Sequence, residues 1–194
     1  MTNFCDLTYS ELVAWLESYG EKKFHARQLF DWVYKKSVFN WDEMTNLSKT
    51  LREKLAKGLH LPSLQLVRVV PSTDLETYKF LWKLGDGNLV ESVLICSGDR
   101  RTVCVSSQVG CPAKCAFCAS GKQGFMRNLR PGEIVEQILH INQWLKQKDE
   151  QVSHIVYIGM GEPLKNYEAV KKSIDLISDE ETLHISQRRI TVST

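Results

Sequence analysis

The chain has 194 residues, a formal net charge of +2 and 25% charged side chains, which suits one domain with its own core and a small appendage. Its longest apolar runs, such as Ile155 to Ile158, are too short to span a bilayer, and Met1 to Cys5 lead into Asp6 and Glu11 rather than into an apolar signal segment. Composition thus excludes a membrane-spanning helix, predicts a cytoplasmic protein with no membrane contact, and makes metal binding or redox chemistry the expected use of six cysteines.

Thr8-Tyr-Ser-Glu11 reads as a capping box that opens a first helix carrying Leu12, Trp15, Leu16 and Tyr19, stopped at Gly20. A second amphipathic stretch runs from Phe24 to Lys36 with Ala26, Leu29, Phe30, Val33 and Tyr34 inward, and a third from Ser48 to Lys57 with Leu51 and Leu55 one turn apart. These form a helical domain over residues 1–62. After Pro62 the period becomes alternating, over Leu64 to Val70, Thr77 to Lys83 and Asn88 to Ile95, with Asp86-Gly87 as a hairpin turn. Residues 63–100 are read as a β-hairpin connector.

Val103 to Ser106 is the next expected strand, followed by a cysteine loop and by a long helix opened by Pro131, with Ile134, Ile138, Ile141 and Leu145 on one face. His154 to Ile158 reads as a strand, Tyr167 to Ile177 as a helix capped by Asn166, and Arg189 to Ser193 as a further strand. Strands alternating with helices imply right-handed crossovers, a parallel sheet buried on both faces, and ligands at the carboxyl ends of its strands. The cysteine loop, Gly159-Met-Gly-Glu-Pro163 and Ser193 all fall at that end. A sheet stopping at its third parallel strand, with Thr194 next, predicts an incomplete core with an exposed edge.

Cys111-Pro-Ala-Lys-Cys115-Ala-Phe-Cys118 places three thiols at C-x₃-C-x₂-C spacing. A structural zinc ion wants four ligands in a closed tetrahedron, whereas a 4Fe-4S cluster held by three thiolates leaves one iron open to a small chelating molecule. Three readings follow: an iron-sulfur enzyme, a zinc site with Cys104 as fourth ligand, and buried cysteines without metal. Arg100, Arg101, Lys114, Lys122, Arg127 and Arg130 are expected to surround this loop and to favour a polyanionic substrate. Cys5 and Cys96 are read as structural.

The spacing, with an aromatic residue before the last cysteine, resembles the radical S-adenosylmethionine superfamily. The runs Cys104-Val-Ser-Ser-Gln-Val-Gly-Cys111, Gly124-Phe-Met-Arg-Asn-Leu129 and Gly159-Met-Gly-Glu-Pro-Leu164 are similar to its RNA methyltransferases that act on C2 of adenosine in 23S rRNA and tRNA. The resemblance implies an α/β fold: an N-terminal helical accessory domain that helps grip RNA, plus the first part of a radical-SAM partial (β/α) barrel over residues 101–194. It implies that Cys111, Cys115 and Cys118 ligate a 4Fe-4S cluster, and that Gly161, Glu162 and Ser193 contact S-adenosyl-L-methionine. Glu91 matches the proton acceptor. Cys104 matches a catalytic cysteine that forms a disulfide with a second, methyl-carrying cysteine, yet no cysteine follows Cys118. An electron donor such as flavodoxin and a monomeric full-length enzyme are also implied. A related methyltransferase acting on C8 of the same adenosine and a non-catalytic zinc-binding RNA module are the alternatives.

Overall fold

The structure, a computed structural model, describes residues 1–122 and 124–194. Strand β1 (Thr2–Asn3) begins the chain, and α1 (Tyr9–Ser18) follows behind the expected capping box: Glu11 N donates to Thr8 Oγ1 at 3.2 Å while Thr8 N donates to Glu11 Oε2 at 2.7 Å. Helix α2 (Phe24–Phe30) ends earlier than its apolar period suggests and passes into a π-helical turn over Asp31–Lys35. That wider turn, closed by Lys36 N on Asp31 O, keeps both Val33 and Tyr34 in the core. Helix α3 (Lys49–Ala56) is capped by Ser48, whose hydroxyl accepts from Leu51 N. Strand β2 (Leu59–His60) then pairs in parallel with β1, so the helical segment closes on its own beginning.

Strands β3 (Gln65–Pro71), β4 (Thr77–Lys83), β5 (Leu89–Ser97) and β6 (Arg100–Cys104) run antiparallel to one another. A small ribbon of β7 (Gln108–Gly110) and β8 (Phe125–Asn128) brackets the cysteine loop and its short helix α4 (Ala119–Lys122). Helix α5 (Pro131–Leu145), β9 (His154–Tyr157), α6 (Tyr167–Ser178) and β10 (Ile190–Val192) complete the chain. The main sheet has the order β10-β9-β6-β5-β4-β3, with β6, β9 and β10 parallel. The strands expected as a connector are therefore continuous with the parallel strands in one sheet.

Alternation decides which face is covered. Tyr78, Phe80 and Trp82 on β4, Val90 and Leu94 on β5, Val103 on β6 and Ile155 and Tyr157 on β9 are buried, as are Ile134, Ile138 and Ile141 on α5 and Ile177 on α6. Each such aliphatic side chain contributes about 2 kcal/mol on leaving water. The opposite face carries Glu91, Val93 and Ile95, Thr102 and Cys104, and His154 and Val156, all part-exposed or exposed. The expectation of burial on both faces is thus not met: a sheet with antiparallel members tolerates one uncovered face. Strand β10 is an edge, as expected. Among the described residues no helix is long and apolar enough to cross a membrane.

The helical segment shares its core with the sheet. Glu136 on α5, 2% exposed, accepts from Asn3 Nδ2 at 2.9 Å and from the backbone N–H groups of Ser63 and Leu64 at 2.7 and 3.1 Å, while Gly132 N donates to Asp6 Oδ1 at 2.7 Å. Burial nonetheless pushes the Glu136 carboxyl above its usual range.

His140 packs between Phe39 and Trp82, with ring centroids 4.8 and 5.6 Å away, and its Nε2 is buried without a partner among the described residues. Burial lowers its pKa from 6.5 to about 4. The unfolded imidazole takes up its proton near pH 6.5 and the folded one does not, so its share of stability is complete above that pH and falls as pH drops toward 4. The loss amounts to about 1.4 kcal/mol per pH unit, or roughly 2 kcal/mol at pH 5. Urea unfolding of wild type and His140→Phe at pH 7 and pH 5 should show a markedly flatter pH dependence in the variant.

Candidate functional site

Strands β6, β9 and β10 end on the same side, and the turns that leave them are stitched together by backbone groups. Val105 N donates to Val156 O at 2.9 Å, Gly159 N to Val105 O at 3.1 Å, and Ser107 N and Gln108 N both to Met160 O. The side chain of Gln108 continues the seam, its Oε1 accepting from Glu162 N at 2.8 Å and its Nε2 donating to Asn128 Oδ1 at 2.8 Å. Asn166 was expected to cap α6. It stands at the cap position, but its side-chain amide instead donates to Ser107 O, which also accepts from Leu129 N, and to Leu129 O, joining the two sides of the buried seam.

A buried polar cluster lies under this seam. Gln137 of α5, fully buried, accepts at Oε1 from Ser92 Oγ (2.8 Å) and Ser106 N (2.9 Å), and donates from Nε2 to Ser106 O (3.0 Å) and Glu133 O (3.2 Å). Ser106 Oγ donates to Glu91 O and accepts from Met160 N. One carboxamide and one hydroxyl thereby fix the turns after both β6 and β9.

The cysteine loop is closed at its base where Cys111 N donates to Gly124 O at 3.1 Å. Gly110 has φ +72°, and a Cβ there would lie 1.8 Å from Gly124 O, so only glycine lets the two sides of the loop cross. Within the loop Cys118 N donates to Cys115 O. Cys111 is buried, Cys118 part-exposed and Cys115 exposed. Backbone N–H groups of Gly121 and Ser120 hold the Cys118 thiol below its usual range. Phe117 beside it is 93% exposed.

Cys104, at the end of β6, differs from these three. It lies on the uncovered sheet face opposite Val93, and burial pushes its thiol up despite a hydrogen bond from Ile158 N–H. Glu91 stands on that same face, two positions along β5 from Val93, with its carboxylate 3.2 Å from Lys79 Nζ. Ser193 N reaches Tyr157 O, and Thr194 Oγ1 donates to Glu162 Oε1 at 2.7 Å, so Gly161, Glu162 and Ser193 do come together at the strand ends. Gly161 has φ +110° and a Cβ there would lie 2.7 Å from Ser107 Oγ and Gln108 Cβ. Its missing side chain is required by the chain's own seam before any ligand is considered.

Two expectations need correction. Arg101 pairs with Glu150 at the opposite end of β6, and Arg127 is held by Asp86 and Glu133, so the basic residues do not converge on the cysteine loop; Lys114 and Lys122 alone of the six lie on it. The pairing of these arginines with acids distant in sequence is invisible to local charge counting. All six cysteines are free thiols, so the disulfide implied for Cys104 is not formed. Gln137, Ser106, Gln108 and Gly110 were missed by sequence reasoning; the one available signal was a polar residue on the apolar face of α5.

The donor set fits an iron-sulfur cluster better than a single ion. Three thiolates on one loop suit three corners of a cubane. A closed zinc tetrahedron needs a fourth ligand that the loop does not supply. Among the described residues no three His, Cys, Asp or Glu side chains are gathered as a metal-holding group, the three thiols included, so the fit rests on their number and spacing.

Comparison with known proteins agrees with this geometry. Residues 2–61 match the ribosomal RNA large subunit methyltransferase N-terminal domain, and residues 105–194 match the radical SAM superfamily. The chain is 66% identical over 192 residues to a protein of Protochlamydia amoebophila named "Probable dual-specificity RNA methyltransferase RlmN 2", covering 99% of this chain and 54% of that protein. It is 50% identical to the RlmN of a Thermotoga species, covering 100% of this chain and 56% of that one. A crystal structure of a radical SAM methyltransferase from Sphaerobacter thermophilus superimposes with a TM-score of 0.96 at 43% identity, covering 100% of this chain and 57% of that chain. The chain therefore spans about half the length of the relatives it matches.

Replacing Gln137 by Leu leaves the Ser106 N–H and C=O groups and the Ser92 hydroxyl short of partners, and should lower stability by about 3 kcal/mol in chemical denaturation. Gly110→Ala should open the base of the cysteine loop, which hydrogen exchange at the Cys111 N–H would register as lost protection in an otherwise folded protein.

Proposed function

This chain belongs to the RlmN family of the radical S-adenosylmethionine superfamily, and from that membership we propose that it carries the cluster- and cofactor-binding part of an RNA methyltransferase acting on C2 of adenosine in 23S rRNA and tRNA. The observation that supports this best is the placement of a three-cysteine loop, closed at Cys111 and Gly124, beside the Gly159 to Glu162 turn at the carboxyl ends of parallel strands. Enzymes of this family use a 4Fe-4S cluster and S-adenosyl-L-methionine, and when bound the cluster supplies the electron for reductive cleavage of that molecule.

The chain's own residues divide the remaining work. Cys111, Cys115 and Cys118 would hold three irons, with the Gly121 and Ser120 N–H groups stabilising the Cys118 thiolate. The turn at Gly161, Glu162 and Ser193 would receive S-adenosylmethionine. The Glu162 carboxylate is already oriented by Leu164 N and Thr194 Oγ1, which leaves its second oxygen for an amino group. Glu91, paired with Lys79, would accept a proton from the substrate carbon, and Cys104 would act as a thiol facing the same open sheet surface. A cytoplasmic location and an electron donor of the flavodoxin type accompany this reading.

Anaerobic reconstitution with iron and sulfide tests the cluster. Wild type should turn brown with broad visible absorption. Cys115→Ala should lose both colour and iron, because two thiolates do not retain the cluster. Stoichiometric zinc without iron in the wild type would remove this reading.

The reconstituted chain, given methyl-labelled S-adenosylmethionine, a reductant and unmodified RNA, should cleave the cofactor and leave the RNA unlabelled, since no cysteine follows Cys118 to carry the methyl group. Chromatography of nucleosides from RNA modified by the whole protein, against 2-methyladenosine and 8-methyladenosine standards, distinguishes C2 from C8.

A further inference from the structure

The amino ends of the parallel strands carry a feature that the methyltransferase reading does not use. Arg100 begins β6 and His154 begins β9, while Arg188 and Arg189 form the turn that enters β10. Together with Thr102 and Thr191 they line a cavity of about 250 Å³, and no carboxylate lines it. Of the other arginines, Arg27, Arg52, Arg101, Arg127 and Arg130 each lie within 4 Å of an acid, whereas Arg68, isolated on β3, has no such neighbour among the described residues. Among the described residues Arg100, Arg188 and Arg189 make neither an ion pair nor a side-chain hydrogen bond. Three exposed guanidinium groups around one cavity, with no carboxylate in its lining, give it a positive potential that favours an anion among them.

We propose that Arg100, Arg188, Arg189 and His154 form a binding site for a phosphate group. Guanidinium forks match the tetrahedral oxygens of phosphate bidentately, and the Thr102 and Thr191 hydroxyls add neutral donors. His154 Nδ1 is engaged by Ser153 Oγ at 2.9 Å, which leaves Nε2 for a ligand, and burial together with the charges of Arg100 and Arg189 lowers the pKa of its ring. Arg100, at the charged end of the cavity, lies about 13 Å along β6 from Cys104, while Val156 in the lining is the register partner of Cys104. The cavity's charged end is thus set apart from Cys104 along a shared sheet face, and S-adenosylmethionine contains no phosphate to fill it. The phosphate belongs either to the RNA backbone, which rests on the RNA-methyltransferase reading, or to a free phosphate-bearing small molecule, which does not.

The test uses the chain itself. Titration with inorganic phosphate should shift the His154 ring signals saturably in NMR spectra, and the shift should vanish in Arg100→Gln/Arg188→Gln/Arg189→Gln and weaken in Arg188→Gln alone. Binding of a labelled RNA hairpin, followed by fluorescence anisotropy against salt, should lose about 1 from its log–log salt slope in the triple variant, as one phosphate contact is lost. A change in both arms assigns the site to the RNA backbone; phosphate binding without an RNA effect assigns it to a free phosphate compound. An unmoved His154 spectrum with RNA binding equal in wild type and a folded triple variant overturns the proposal. Iron content is read separately, so a chain that fails to hold a cluster removes the methyltransferase reading and leaves the phosphate arm standing.

Discussion

Everything at the candidate site rests on one buried carboxamide. Gln137 satisfies the backbone of Ser106 on both its N–H and its C=O, and through Ser92 it is coupled to Trp82 in the hairpin. The Ser106 hydroxyl then reaches both Glu91 O and Met160 N. Because these groups are out of water, each unmade bond would cost its full desolvation, so the cluster is stable only when complete. Completeness fixes the turns after β6 and β9 against each other, and with them the surfaces offered to cofactor and substrate.

Helix α5 extends the same principle along its length. Its Glu133 clasps Arg127, the residue that ties the return strand β8 to Asp86 in the hairpin turn. The clasp also holds the Asp86 carboxyl at about 2, a sign of how firmly Arg127 is seated. Glu136, on the next turn, collects three donors from the amino-terminal segment and from the residues after β2. A buried carboxylate is costly, and three hydrogen bonds offset most of that cost while also selecting one docking geometry for the helical segment. A single helix thus sets the cysteine loop, the strand-end turns and the accessory helices in one frame.

The two faces of the sheet have different tasks. The covered face is apolar and supplies most of the stability. The uncovered face is mixed, with Glu91 and Cys104 near its carboxyl end and the unmatched arginines near its amino end. Glycines at 110 and 161 serve the frame more than any ligand, since each relieves a clash with the chain's own backbone or side chains.

The sequence by itself determined the main helices and the long strands and, through the cysteine spacing, the short set of chemistries open to the site. Capping residues at Thr8 and Ser48, Pro131 at a helix start, the alternation of Thr77 to Lys83 and the spacing of Cys111, Cys115 and Cys118 are all local, and local sterics and hydrogen bonding act over a few residues. Only the tertiary structure decided the rest. The π turn after Phe30, the amide of Asn166 turned into the seam, the uncovered sheet face and the pairing of Arg127 with Asp86 and Glu133 depend on partners far apart in sequence. Burial is what selects among such partners, because a polar group removed from water must find whichever complement the folded chain brings within reach, and a one-dimensional pattern carries no record of that distance.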